Sequence, residues 1–408
     1  MTLARTSAHP APRSPFSFVG KAGRAARALT TIASALALAA GALTLAPAPA
    51  HADGAVPSQE YFSYYPLNTV HQKGITGKGV TIAVIDGPVD TSNPALKGAN
   101  ITDKSRCTIQ DSPEGVRHNT DMAIILVSPI SGVAPDATLY TYQASTDGTI
   151  SNGSCDSKRG RLNTVSALIN QAVEDGAQFI SISLSVSEVS FELKWAITNA
   201  ITKGVIIVAA AGNEALPDNT TYLGRYSGVV GVSAINSDGT FASYSNWANG
   251  MVTAAFGGPY NTYDVNTGEP VTVQGTSIST PLVAGMLALA RQKWPDATTN
   301  QILQLLVHTG LNPDHDWNKY TGYGAAALGS LVNQDPSQYP DENPIIQKGY
   351  GSEPTAQEVQ DYIDGVAGSL QIDSFPDTYV YRGADEAPLH LRGAQTVHLG
   401  TSPRYHRK

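Results

Sequence analysis

No aspartate or glutamate occurs in the first 52 residues of this 408-residue chain. That stretch carries Arg5, Arg13, Lys21, Arg24 and Arg27, then an alanine-rich apolar run from Ala28 to about Leu45, and closes on Ala50-His51-Ala52. A basic region, an apolar region and a small-x-small site, in that order, predict a secretory signal peptide cut before Asp53. The paired arginines of a twin-arginine signal are missing, which points to the general secretory route. The apolar run is short and rich in Ala and Thr, which argues against an uncleaved anchor, and no later run is apolar enough to span a bilayer.

Charge is also scarce, at 15% of all residues. Without the five cations of the leader the formal net charge moves from −8 to −13. An acidic exported protein argues against nucleic acid or an anionic membrane as a partner. Cysteine is limited to Cys107 and Cys155. Two cysteines without clustered histidines make a poor zinc site, and in an oxidising compartment an even pair is expected to be bridged. His308, His315, His390 and His398 are scattered without ligand spacing and are expected in solvated or capping roles. No EF-hand-like loop and no internal repeat is present, so no metal ligand is assigned and no cofactor is expected.

What remains is a run of strands and helices in alternation. Val80 to Ile85 is a continuous β-branched run that ends on Asp86 and a Gly-Pro turn, the pattern of a buried parallel strand. Thr138 to Gln143, Phe179 to Leu184, Val205 to Ala211 and Gly228 to Ile235 read as further strands. Helical spacing runs over Thr164 to Asp175, Phe191 to Lys203, the segment after Ser277, and Thr299 to His308. Alternation of this kind predicts right-handed crossovers and a mostly parallel sheet covered on both faces. Ligands of such sheets bind outside the carboxyl ends of the strands, where Asp86 and Asn213 both fall. Trp195 and Trp294 read as core or half-core on their helices, and Asp238-Gly239 as an ordinary turn.

Beyond Asn333 the composition shifts. Gln334 to Gly351 is rich in Pro, Asp, Gln and Tyr and reads as a linker. Thr355-x-x-Glu358 predicts a capping box for a short helix reaching about Leu370, and Thr401 to Lys408 is polar, basic and expected to be disordered. The expected layout is thus a signal peptide at 1–52, a catalytic-type domain at 53–333 and a C-terminal extension at 334–408.

Gly275-Thr276-Ser277-Ile278-Ser279-Thr280-Pro281 places a hydroxyl on a glycine turn at the mouth of an apolar helix, where unpaired N–H groups and the helix dipole favour negative charge. Alone, such a serine is more often an N-cap. Asp86, His118 and Asn213 change its meaning. A hydroxyl becomes a nucleophile when an imidazole takes its proton and a buried carboxylate orients that imidazole. His118, ahead of Thr120 and the apolar stretch Met122 to Val127, is expected at the start of a buried helix. Asn213 is placed to donate its amide to an oxyanion beside the Ser277 N–H.

These residues resemble the subtilisin-like serine proteases. Val84-Ile-Asp86-Gly-Pro-Val-Asp90 with Asn93-Pro-Ala-Leu96 is similar to that family's aspartate motif, and His118-Asn-Thr-Asp-Met-Ala123 with Gly132-Val-Ala-Pro-Asp-Ala137 to its histidine motif. Val208 to Glu214 resembles its oxyanion asparagine segment, and Gly275 to Pro281 its serine motif, with the four groups spaced 32, 95 and 64 positions apart. The likeness runs from about Gly74 to Leu331. It implies a three-layer subtilisin-like α/β fold and peptide-bond hydrolysis through an acyl-enzyme, with Asp86, His118 and Ser277 as the triad and Asn213 in the oxyanion hole. It also implies that an extended polypeptide substrate pairs with Ser183-Leu184-Ser185, where Ser185 replaces the usual glycine. Thr221 to Gly224 takes the place of the main specificity pocket's floor. A secreted monomer is expected. Calcium commonly stabilises this family, but no ligands are assigned here.

Three departures stand out. Asp86-Gly87-Pro88 replaces Asp-Thr/Ser-Gly, so a hydroxyl that bonds the aspartate is missing; a similar Gly-Pro variant occurs in subtilases that mature ribosomally made peptides. Asn119, Asp121 and Ile124 replace the glycine, second histidine and last glycine of His-Gly-Thr-His-Val-Ala-Gly, and Asp121 adds a negative charge that is expected to raise the imidazole pKa. Only 27 residues, Asp53 to Gly79, precede the first strand, so no usual folding propeptide is expected; folding unaided, with a helper, or through the C-terminal extension all stay open. The main alternatives are a catalytically impaired subtilase-fold protein that binds peptides or a partner, and a narrow-specificity precursor-processing protease. An α/β-hydrolase needs Gly-x-Ser-x-Gly and the order Ser, acid, His, which Ser277 does not satisfy. A serine-carboxyl peptidase needs Glu for the histidine and Asp where Asn213 stands.

Overall fold

The computed structural model describes residues 58–365 and 367, apart from 145–149, 152–154, 158–159, 187–189, 218–221 and 313–315. The expected signal peptide and the polar end at 401–408 lie outside the described residues, as does His315. All described residues belong to one compact unit, Gly54–Lys408.

Seven strands build the central sheet: β1 (Thr81–Asp86), β2 (Ile101–Asp103), β3 (Thr138–Gln143), β4 (Phe179–Ile182), β5 (Ile206–Ala210), β6 (Val229–Ile235) and β7 (Met251–Phe256). Their order is β7-β6-β5-β4-β1-β3-β2, and every pairing is parallel. Both faces must therefore be covered, and the alternation of side chains along β1 shows how. Ile82 and Val84 pack into a core with α1 (Pro113–Val127), α4 (Thr276–Lys293) and α5 (Thr299–Thr309). Ala83 and Ile85 pack into a second core with α2 (Val165–Glu174) and α3 (Phe191–Thr202). The result is the three-layer α/β fold expected from the alternation. β3 and β4 lie on opposite sides of β1, so the strand order reverses at β1 and opens a crevice at its carboxyl end. Asp86 is the last residue of that strand.

Side-chain caps set the helix starts. Ser112 accepts from the Gly115 N–H with Pro113 in the first turn, and Thr164 and Ser190 cap α2 and α3 in the same way. The cap at Ser112 corrects one expectation. His118 is not at the helix start but in the second turn of α1, because the Ser112-Pro113 signal begins the helix five residues earlier.

Cys107 and Cys155 form the expected disulfide. Residues 334–351, expected as a linker, pack on the domain: Ile345 is 2% exposed within the first core, and its carbonyl accepts from the Gly228 N–H at 2.9 Å. The Thr355/Glu358 capping box is formed at the start of α6 (Ala356–Ile363), which ends before Leu370. On α3, Lys194 meets Glu358 at 2.6 Å and Trp195 stacks on Tyr362 with ring centroids 5.9 Å apart. Among the described residues no helix is long and apolar enough to cross a membrane.

Candidate active site

The Asp86 carboxylate lies fully buried at the end of β1, with its Oδ2 3.5 Å from His118 Nδ1 on α1. Neither of its oxygens has a hydrogen-bond partner among the described residues. Burial pushes its pKa up to about 6, against the pull of the His118 imidazole; Asp111 adds to the rise and the Gly87 amide opposes it. The imidazole keeps about a third of its surface open. Its Nδ1 also lies 3.4 Å from Asn119 Oδ1, so two acceptors converge on one ring nitrogen. That convergence assigns the proton to Nδ1 and leaves the Nε2 lone pair as a base.

Ser277 is the second residue of α4, in the first turn, where backbone N–H groups have no partner within the helix. Its neighbour Gly275 is extended at φ 166°, so backbone angle does not demand glycine there. A Cβ on Gly275 would stand 3.2 Å from Asn213 Nδ2, a tight contact that the Asn213 side chain would have to relieve by shifting. Asn213 follows β5. Its Oδ1 accepts from the Thr276 N–H at 2.8 Å and from the Thr276 hydroxyl at 3.1 Å. The same hydroxyl accepts from the Gly212 N–H at 3.1 Å. Because both bonds engage Oδ1, the Asn213 amide is locked with its NH2 free to donate beside the start of α4. Thr276 is fully buried and is a positioning residue that motif reading passed over.

Ser183, Leu184 and Ser185 follow β4 and line one cavity of about 390 Å³ together with Asn213 and Ser277. Ser277 Oγ donates to the Ser183 carbonyl at 3.5 Å, and no hydrogen bond joins it to His118 among the described residues. The four expected groups thus fall into two pairs, Asp86 with His118 beyond β1 and Asn213 with Ser277 beyond β5, with β4 between the two strands. Asn246 is a further residue that no sequence pattern marked. Its Oδ1 accepts from the N–H groups of Glu214 and Leu216 at 3.0 Å each, which fixes the loop after Asn213.

Asp121 does not stand as a bare charge beside the imidazole. It is 5% exposed and is held by Arg117 at 2.9 Å, Thr262 at 3.1 Å and Tyr260 at 3.3 Å. Burial pushes its pKa up to about 6, with Arg117 the chief opposing influence. Of the scattered histidines, His308 stacks on Tyr339 with centroids 4.9 Å apart. His390 and His398 lie outside the described residues. Among the described residues no group of three or more His, Cys, Asp or Glu side chains is arranged to hold a metal ion.

A parallel sheet with an Asp–His pair at the switch-point strand and a serine at a helix mouth defines a three-layer α/β architecture with its candidate groups at one edge of the sheet. The chain belongs to the subtilase family, whose model matches residues 77–324. A thermostable alkaline protease of Halalkalibacterium halodurans is 32% identical over 252 residues, covering 60% of this chain and 66% of the relative. Subtilisin E of Bacillus subtilis is 30% identical over 260 residues, covering 59% and 62%. The chain spans just under two thirds of the length of these relatives. Among solved structures, MycP1 from Mycobacterium smegmatis superposes with a TM-score of 0.55 at 23% identity, over 73% of this chain and 89% of MycP1. The prenylagaramide maturation protease PagA gives 0.52 at 23% identity, over 65% and 96%. These two likenesses concern the fold.

Proposed function

We propose that the chain is a secreted serine endopeptidase, with its signal peptide at 1–52, its peptidase domain at 53–333 and an extension at 334–408. Ser277 Oγ attacks the peptide carbonyl carbon while His118 Nε2 takes its proton and Asp86 holds the imidazole. The oxyanion accepts from Asn213 Nδ2 and the Ser277 N–H. The C–N bond then breaks as Nε2 returns the proton to the departing amine, and water repeats the sequence on the acyl-enzyme. An extended polypeptide lies along Ser183-Leu184-Ser185.

The observation that carries this reading is the locked Asn213 amide, whose NH2 makes no hydrogen bond among the described residues and has a chemical use beside Ser277. The parking of Ser277 Oγ on the Ser183 carbonyl favours a second reading, an impaired fold that binds peptides without cutting them. Catalytic hydrogen bonds of substrate-free sites are commonly long and tighten with substrate, so the first reading is preferred. A serine-directed fluorophosphonate and a peptide library decide between them. Labelling and cleavage by wild type, both lost in Ser277→Ala with folding intact, support the peptidase. A wild type that is neither labelled nor active sinks it. The mass of the exported protein tests the cut before Asp53.

A further inference from the structure

A carboxylate that orients an imidazole is ordinarily fixed by donors of its own, and among the described residues Asp86 has only the nearby Gly87 amide, which forms no well-aligned hydrogen bond to it. Its Oδ2 stands 3.5 Å from His118 Nδ1 without hydrogen-bond geometry. The closer acceptor is Asn119 Oδ1 at 3.4 Å, from a side chain only 3% exposed. That amide is not free to turn. Its Nδ2 donates to Asp111 Oδ2 at 3.2 Å, and Asp111 in turn accepts from the Ser112 N–H at 2.7 Å at the cap of α1. The chain Ser112–Asp111–Asn119 thus presents a carbonyl oxygen, in one orientation, to the imidazole.

The room for this arrangement comes from Gly87. A Cβ at that position would lie 2.2 Å from Asn119 Nδ2 and 2.8 Å from Asp111 Oδ2, so a side chain at 87 and the observed Asn119 placement exclude each other. The two departures noted in the sequence, a glycine after the aspartate and an asparagine after the histidine, are one exchange of volume between β1 and α1. We propose that Asn119 is a positioning residue for His118, a second acceptor that holds its Nδ1 proton beside an aspartate that no hydroxyl from position 87 steadies. This rests on His118 serving as the base. The charged groups around the ring are Asp86 from β1, and Asp111, Arg117 and Asp121 from α1 and its approach; of these Asp121 is already paired with Arg117.

The test compares Asn119→Ala, Asn119→Gly and the double variant Gly87→Ser/Asn119→Gly with wild type. Active sites are counted by fluorophosphonate titration, so that misfolded molecules drop out. Asn119→Ala and Asn119→Gly are each expected to lower kcat about 10- to 100-fold with KM within about twofold. An acceptor on Nδ1 favours the imidazolium, so its removal moves the acid limb of kcat/KM to lower pH. The double variant, which returns a hydroxyl beside Asp86 but no acceptor to Nδ1, is expected to recover part of the lost kcat by steadying the carboxylate. An unchanged kcat and acid limb in both single variants overturns the proposal. So does a loss of kcat with a fixed limb and no recovery in the double variant, the signature of a merely structural role. Nitrogen-15 NMR of the His118 ring reads the same point without turnover: Nδ1–H is expected to dominate in wild type and to give way to mixed tautomers in Asn119→Ala. An inactive wild type with that tautomer shift refutes the peptidase but keeps the positioning role. An active wild type whose ring is indifferent to the substitution refutes the positioning role alone.

Discussion

The Ser183 hydroxyl donates to the Ser277 carbonyl at 3.1 Å, in the place where a helical N–H belongs. Pro281 stands four residues after Ser277 inside α4 and has no N–H to offer. The proline that follows the serine motif therefore opens one carbonyl in the first turn, and the strand carrying the expected substrate edge closes it. This ties the serine to the floor of the cleft.

Ser183→Ala leaves that carbonyl without a protein donor. It is expected to cost about 1 kcal/mol of unfolding free energy, read by denaturant titration of the fluorophosphonate-blocked protein. Ser183→Thr, which keeps the hydroxyl, is expected to cost less. Equal losses in the two variants speak against the hydrogen bond as the cause.

The Asn213–Thr276 contact makes a kinetic prediction. Asn213→Ala removes the side-chain donor and is expected to lower kcat by about 100- to 1000-fold with little change in KM. Thr276→Val keeps the donor but removes the hydroxyl bond that orients it, so a smaller loss is expected, about 10-fold. Steady-state kinetics on one peptide substrate checks both. A KM effect as large as the kcat effect assigns Asn213 to substrate binding instead.

The order of strands and helices was legible because burial on both faces forces apolar runs. Thr138 to Gln143 matches its strand residue for residue, and Phe191 to Lys203 overshoots its helix by one. Strand β7 was not read although Asn249-Gly250 and Gly257-Gly258-Pro259 bracket it, because Met251–Phe256 centres on Ala254-Ala255 and lacks the continuous β-branched run of β1. Among the candidate site residues, the positions of Asp86 and Asn213 past strand ends and of Ser277 at a helix mouth were legible. Asn246 and the role of Asn119 were not, because each depends on a side chain reaching a residue distant in sequence or on space left by another residue. Glu358, which meets Lys194 of α3, and Lys348 illustrate the same limit in the C-terminal segment, whose polar composition resembles a linker while a few residues anchor it.

Two buried carboxylates set the expected pH dependence. Asp86 and Asp121 are both pushed up to about 6 by burial, while an unfolded aspartate titrates near 3.9. Between about pH 4 and 6 the native chain then binds more protons than the unfolded one, so these groups make stability fall as pH rises through that window. Each contributes on the order of 2–3 kcal/mol. The blocked enzyme is expected to be more stable near pH 4.5 than at pH 7, and Asp121→Asn to flatten part of that slope. Activity runs the other way, falling on the acid side as the buried Asp86 carboxylate takes up its proton. A stability that rises from pH 4.5 to 7 refutes the burial-driven shifts.

Lys348 argues for an anchoring role of the extension. Its ammonium is buried and donates to the carbonyls of Gly224 at 2.6 Å, Gly250 at 3.0 Å and Val229. Burial holds its pKa well below the ordinary lysine range, and three carbonyls are the compensation for taking the charge out of water. Lys348→Met keeps the stem but strands three acceptors at the base of β6, and is expected to cost about 2–4 kcal/mol. A chain stopped after Asn333 loses this contact together with Ile345 and the Lys194–Glu358 pair, so it is expected to refold in lower yield than full-length protein. Refolding from denaturant, followed by fluorophosphonate labelling of the recovered fraction, measures both. If the shortened chain refolds as well as the full one, the extension is dispensable to folding, and the domain ends where the composition changes.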